Sequence, residues 1–321
     1  MAIIEKNMLG LNLRMLLVSA LVFGAIAAIF GLIIVSMGFS GSGSILIWLG
    51  FSFAMLLVQW YLGPIIVVWS TGAREVKEGA LPELRQILEK YSKLAEIPVP
   101  KLYLVENPSP NAFAFGRTQK GSAIAVHTGL LRILSKEEVE GVIAHEIGHI
   151  KHRDVLVMTF ASALPILLYY AFLIFFGGSR DNKGIGSYIA VIIGANVASF
   201  LGQLLVLLVS REREYYADGF SALATRNPKS LMSALAKISY ASVVMPKEEN
   251  QDNKSMNSFY IAHPSSGESQ SIKNIALALG KGESFEQALA NEKKNSLMEI
   301  FMTHPLTVKR LDRLNKMRTW Q

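Results

Sequence analysis

The chain has 321 residues, 51% hydrophobic and only 18% charged, with a formal net charge of +7 and no cysteine. The missing thiols exclude a disulfide framework and any thiolate metal site, so a transition metal here must be held by histidine and carboxylate. The positive balance is not accompanied by a nucleic-acid motif or a basic stripe with interleaved aromatics, and basic flanks of membrane spans explain it better.

The apolar residues are concentrated in long runs. Leu16 to Gly38 exceeds the ~20 residues that cross a ~30 Å hydrocarbon layer. It is too long for a cleaved signal peptide, and a second run follows it closely. That second run, Ile45 to about Trp69, carries Pro64 near its end, and the uncharged segment Phe39 to Ser44 joins the two. A charged segment then extends from Thr71 to Asp154. Within it, Arg74 to Glu96 reads as a polar helix with Leu81, Leu84, Ile87, Leu88 and Leu94 on one side, ended by Pro98 and Pro100. Lys101 to Val105, Ala112 to Phe115 and Ala123 to Val126 read as short strands between turn residues, with His127 a structural residue at the end of the last. Ser135-Lys136-Glu137-Glu138 has the spacing of a capping box that starts a helix.

Two more apolar runs follow, Val155 to Phe176, containing Pro165, and Tyr188 to Val209. Their length and freedom from charge predict spans, with a buried helical hairpin as the alternative. Beyond Arg211 the chain is polar and mostly helical. Met245 to Ser258 reads as a polar loop, and Phe301 to Leu314 as a closing helix associated with His304-Pro305. Lys and Arg are absent from Phe39–Ser44 and number two in Gly177–Ser187, against twelve in Thr71–Asp154. This asymmetry predicts a multi-pass protein of the cell membrane with about four transmembrane helices, both termini and the charged middle being cytoplasmic. The expected fold class is α+β, mainly helical. Four parts are expected: residues 1–70 as a first pair of membrane helices, 71–154 and 210–321 as polar parts, and 155–209 as a second membrane pair.

The chemistry is concentrated at His145-Glu146-Ile147-Gly148-His149. Residues four apart share one helix face, so both imidazoles can reach one ion, and Glu146 projects beside it. This is the two-histidine arrangement of zinc peptidases, with the glutamate as general base. A catalytic zinc needs a third protein ligand and an open position. His152 and Glu214 are both candidates. Glu214 is favoured, because Asp218, four residues on, can then accept a hydrogen bond from a ligand histidine and fix its tautomer. Tyr215 and Tyr216 are expected to pack, and His263 is given no role.

The pattern resembles the HtpX-type membrane zinc metallopeptidases, relatives of the type I CAAX prenyl proteases. The residues that carry the resemblance are Asn111-Ala112-Phe113-Ala114, the HEIGH motif at His145, Arg211-Glu212-Arg213-Glu214-Tyr215-Tyr216-Ala217-Asp218, and His304-Pro305 with Arg310, all flanked by apolar spans. The resemblance implies a cytoplasmic zincin-like catalytic domain made of parts 71–154 and 210–321, and one Zn2+ per chain on His145, His149 and Glu214. It implies a substrate-pairing edge strand at Asn111 to Ala114, and His304 and Arg310 near the site as ligand supports or oxyanion donors. It further implies cleavage of unfolded or membrane-associated polypeptides in membrane quality control or stress response, with the lipid bilayer as partner and no nucleic acid. Two other readings compete. One is a site-two-type intramembrane protease using Asp218-Gly219. The other is a non-catalytic membrane scaffold or transporter with a zincin-like domain.

Overall fold

The computed structural model describes residues 42–177, 185–244, 266–280, 285–290, 292 and 297–317. The apolar run at 16–38, the polar loop at 245–258 and most of the connection at 177–187 lie outside the described residues. The described chain is mostly helical with one small sheet. In order it forms α1 (Ser42–Thr71), β1 (Arg74–Glu75), α2 (Pro82–Ala95), β2 (Lys101–Val105), β3 (Ala112–Gly116), β4 (Ser122–His127), α3 (Thr128–Ile133), α4 (Lys136–Lys151), α5 (Asp154–Ala161) and α6 (Leu164–Gly177). It continues with α7 (Ile185–Thr225), α8 (Pro228–Val244), α9 (Ser266–Gly280), α10 (Phe285–Ala290), a 3-10 turn (Leu297–Phe301) and α11 (Thr307–Met317). Two compact units result, residues 1–62 with 157–209 and residues 63–156 with 210–321.

Among the described residues, three helical stretches are long and apolar enough to cross a membrane: Gly50–Thr71, Asp154–Phe176 and Gly186–Thr225. The first unit leaves large apolar side chains uncovered along these helices, including Phe53, Phe175, Ile193 and Leu201. Such a surface is stable in hydrocarbon and costly in water. Its internal contacts use small residues. A Cβ on Gly202 would lie 2.9 Å from Pro165 Cα, and one on Gly194 would enter the Phe172 ring. Glycine at these two positions lets α6 and α7 approach closely, as helices in lipid require. The run 155–176 is not one helix. It breaks at Ser162–Ala163, so that Pro165 falls in the first turn of α6, where a missing amide hydrogen costs nothing.

In the second unit the sheet order is β1-β2-β4-β3, with β2 and β4 parallel and the other two pairs antiparallel. The three predicted strands form at the expected places, as β2 (Lys101–Val105), β3 (Ala112–Gly116) and β4 (Ser122–His127). The helix expected over 74–96 is shorter: residues 74–75 pair with β2, and the helix starts at Pro82. Gly79 (φ 86°) and Leu81 (φ 51°) are left-handed, which stops a helix from running through the Glu78–Leu81 stretch. Leu84, Ile87, Leu88, Tyr91 and Ala95 form its buried face, whereas Leu81 and Leu94 are exposed. The closing helix is also displaced. A 3-10 turn ends at Phe301, and α11 starts at Thr307, after the backbone turns at His304-Pro305.

Helix α4 runs through the centre of this unit. Ser135 caps it as expected: its side chain accepts from Glu138 N while Glu138 accepts from Ser135 N. Glycines at 141 and 148, two turns apart, let other helices touch its backbone. A Cβ on Gly148 would be 3.1 Å from Ala217 Cα of α7, and one on Gly141 would be 2.8 Å from Leu231 N of α8. Ser221 of α7 donates to Gly141 O at 2.7 Å. The opposite flank of α4 faces β3.

Candidate metal centre

Helix α4 places His145 and His149 one turn apart, and their Nε2 atoms lie 3.1 Å from each other. Each Nε2 is 3.6 Å from an oxygen of Glu214, which α7 delivers over the Gly148–Ala217 contact. These three residues are the group among the described residues able to hold a metal ion. A tetrahedral ion with bonds of ~2.0–2.1 Å has ligand atoms ~3.3–3.4 Å apart, close to these spacings.

The protonation pattern points the same way. His149 Nδ1 lies 2.5 Å from Asp154 Oδ2, and His145 Nδ1 lies 3.0 Å from Asp218 Oδ1. With a proton on each Nδ1, both Nε2 lone pairs face each other and the Glu214 carboxylate. A cation at their meeting point relieves that repulsion. Glu214 Oε2, though buried, receives no aligned hydrogen bond. The residues therefore fit a metal.

Charges around the centre are strongly perturbed. Burial disfavours the charged form of His145, but Asp218 and Glu214 prevail and raise it to about 9. A metal ion must displace that proton. Burial alone would raise Glu214, yet His304, Arg310 and His145 hold it well below the usual carboxylate range. Asp218 is likewise held down, against burial, by Arg310 and His145. Burial raises Glu146, the direction that suits a base able to retain a proton between two steps. Its Oε2 accepts from Ala114 N at 2.7 Å. Because His127 N donates to Asn111 O, the ladder register turns the amide and carbonyl of Ala112 and Ala114 away from β4, toward the sheet's edge.

Arg310, only 1% exposed, donates to both oxygens of Asp218 at 2.9 and 2.7 Å and lies 3.2 Å from Glu214 Oε2. His304 Nδ1 is 3.1 Å from Glu214 Oε1. His145, Glu146, His149, Glu214, Asp218, His304 and Arg310 thus occupy one cluster. In β3, Ala112 packs in the α4-side core and Phe113 on the opposite face, while Asn111 is buried at the strand's start. His152 is not among the metal donors; it caps the end of α4, with its ring beside Tyr216. His127 Nδ1 bonds Ser109 O, a structural contact. Tyr215 is buried under Arg313, but Tyr216 is exposed.

Two contributors were not read from the sequence. Asp154 enters the sequence reading only as the end of the charged segment, although an acid five residues beyond a candidate ligand histidine is a signal for a partner to its ring. Arg211 stands in the motif that carries the resemblance, but the sequence gives no sign of its partners. Its Nη1 donates to three carbonyls some ninety residues away.

Residues 80–318 match the family model described as peptidase family M48. The chain is 34% identical to "Protease HtpX homolog 2" of Methanosarcina acetivorans, covering 96% of each chain. It is 33% identical to "Protease HtpX homolog" of Moorella thermoacetica, covering 96% of this chain and 94% of the relative. The Methanothermobacter thermautotrophicus "Protease HtpX homolog" is 40% identical over 71% of this chain and 85% of its own. The crystal structure of S. mikatae Ste24p superposes with a TM-score of 0.56 at 17% identity, covering 97% of this chain and 66% of that one, a likeness of fold. A chain built around this cluster, bearing membrane-length apolar helices and matching these relatives nearly end to end, belongs to peptidase family M48 as an HtpX-type membrane metallopeptidase.

Proposed function

We propose that the chain is a zinc endopeptidase that cleaves unfolded or unassembled polypeptides at the cytoplasmic face of the cell membrane, in quality control or stress response. His145, His149 and Glu214 hold one Zn2+, and residues 71–154 and 210–321 form one catalytic domain interrupted by the membrane helices of 155–209. The observation that carries this reading is the convergence of two imidazoles, each with a carboxylate beside its Nδ1, and a buried carboxylate on one point, with Glu146 beside it.

When bound there, zinc lowers the pKa of its water and polarises the scissile carbonyl. Glu146 takes the water proton and returns it to the leaving amine, assisted by burial that favours its protonated form. The substrate lies extended along β3, paired with the outward main-chain groups of Ala112 and the carbonyl of Ala114, whose amide is held by Glu146, in a ladder that does not read side chains. Asp218 and Asp154 fix the ligand imidazoles. Arg310 balances the buried carboxylates, which leaves His304 as the donor placed to meet developing negative charge on the substrate. The twelve basic residues of 71–154 support a cytoplasmic site. The site-two alternative is disfavoured because Asp218 lies behind His145, against Nδ1 rather than among the metal donors.

The test is detergent-purified protein assayed for zinc and for cleavage of an unfolded protein, after chelation and again after zinc is restored. Activity should vanish and return with the metal. Glu146→Gln should keep zinc and lose about 10²–10⁴-fold in rate, and Glu214→Ala should lose the metal. Stoichiometric zinc in Glu214→Ala would move the third ligand elsewhere. Full activity in Glu146→Gln would remove the base.

A further inference from the structure

Helix α7 presents Arg211, Glu214 and Asp218 at spacings of three and four, one continuous face. Each member meets a different piece of the C-terminal segment. Asp218 holds Arg310 of α11, and Glu214 meets His304 in the turn. Arg211 takes the 3-10 turn itself: its Nη1 donates to Glu299 O at 2.8 Å, Ile300 O at 3.1 Å and Met302 O at 3.0 Å. These carbonyls lie at the C-terminal end of the turn, where its dipole is negative, and Glu299 O also accepts from Met302 N at 3.1 Å. The guanidinium is buried, and its bond to Glu299 O is buried with it. A second tie, Lys309 Nζ to Glu299 Oε2 at 3.0 Å, joins the turn to α11.

We propose that Arg211 is a positioning residue of the peptidase: by capping the 3-10 turn at Leu297–Phe301 it sets where the chain reverses, and so holds His304 against Glu214 beside the reacting groups. The assignment rests on the zinc-peptidase reading for its catalytic consequence but not for the clamp. His304 lies two residues beyond Met302, the last carbonyl held, and three before α11 begins. With the cap in place, the loop between two anchored ends has little freedom. Without it, the loop loses its anchor at the turn while the Glu214 contact and the Lys309–Glu299 pair remain, and a displacement of His304 by about 1 Å is enough to cost about 10- to 100-fold in rate. Lysine is a poor substitute, because its shorter, point-like ammonium cannot span three carbonyls as the planar fork does.

The experiment compares full-length, detergent-purified wild type with Arg211→Met, Arg211→Lys, His304→Ala and the double variant Arg211→Met/His304→Ala. Amide hydrogen exchange over residues 297–306 should quicken in Arg211→Met and less in Arg211→Lys, while α4 and α11 keep their protection and zinc stays at one per chain. Against an unfolded protein substrate, Arg211→Met should lower kcat about 10- to 100-fold at unchanged KM. The double variant should be no slower than His304→Ala alone, since the two changes act on one element. Unchanged exchange over 297–306 overturns the clamp. Additive losses, or an active His304→Ala, overturn its catalytic role. Loss of zinc and of protection throughout in both Arg211 variants makes the residue a general structural one and also overturns it. A wild type that neither binds zinc nor cleaves refutes the peptidase reading, and the exchange measurement still decides the clamp.

Discussion

The two sides of the metal centre are built on different principles. The α4 side is local. Five consecutive residues supply both imidazoles and the proposed base, and Asp154, which lies against His149, is only five residues further on. The α7 side is convergent. Glu214 arrives from another helix, and Arg310, which balances it and Asp218, comes from some ninety residues beyond. The local side is held by apolar packing around Gly141 and Gly148 and by a capping box. The convergent side is held by buried charge pairs. Apolar packing tolerates small errors. Buried charges are stable only when each partner is present, because an orphaned one faces the full desolvation penalty.

That contrast predicts the ranking of defects. Arg310→Met should be the most damaging change outside the ligands themselves. It leaves Asp218 and Glu214 buried without their guanidinium, a loss of about 3–5 kcal/mol, measurable as a lower thermal midpoint in detergent. A variant as stable as wild type would show that the convergent side does not depend on its charges. Next come the carboxylates behind the imidazoles. Asp218→Asn and Asp154→Asn should each weaken zinc about 10- to 100-fold, read by competition with a chromogenic chelator. Asp218→Asn should be the worse of the two, since Asp218 also holds Arg310. Equal losses would mean that the ring hydrogen bond alone matters and the two sides are equivalent.

The smallest effect lies in the sheet beside α4. Burial keeps His127 below its ordinary 6.5, outweighing its bond to Ser109 O. A folded-state value below the unfolded one means that the unfolded chain takes up its proton first as pH falls. The stability from this site is therefore whole above about 6.5 and is lost as pH drops through the folded value. His127→Gln should flatten the acid limb of a stability profile by about 1 kcal/mol or less. An unchanged limb would place the titration elsewhere.

What was legible in the sequence follows the same division. The HEIGH spacing, the Ser135 cap and the short strands bounded by turn residues are short-range patterns, and each reports its own geometry. The helix boundary at Pro82 was missed because apolar spacing continued through Leu81, where a left-handed backbone, not periodicity, decides. The break between α5 and α6 was missed for a related reason: apolar content reports a membrane-length run but not where the helix inside it stops. Glu214 was favoured from Asp218 alone. The arrival of His304 and Arg310 beside it came only from resemblance, since no local pattern encodes a contact across ninety residues. The contact of Arg211 was unreadable in principle, although the residue stands in the resemblance motif, because its partners are main-chain carbonyls and carry no sequence signature.

The amide of Ala114 serves two masters. It steadies the Glu146 carboxylate, and it is also one rung of the edge along which an incoming polypeptide would be laid. A docked chain must either leave that rung to the base, which fixes its frame relative to Ala112, or take it and release the base. The alignment of the cut and the readiness of the proton acceptor are then a single thermodynamic variable, written into one backbone nitrogen that side-chain substitution at that position cannot remove, short of proline.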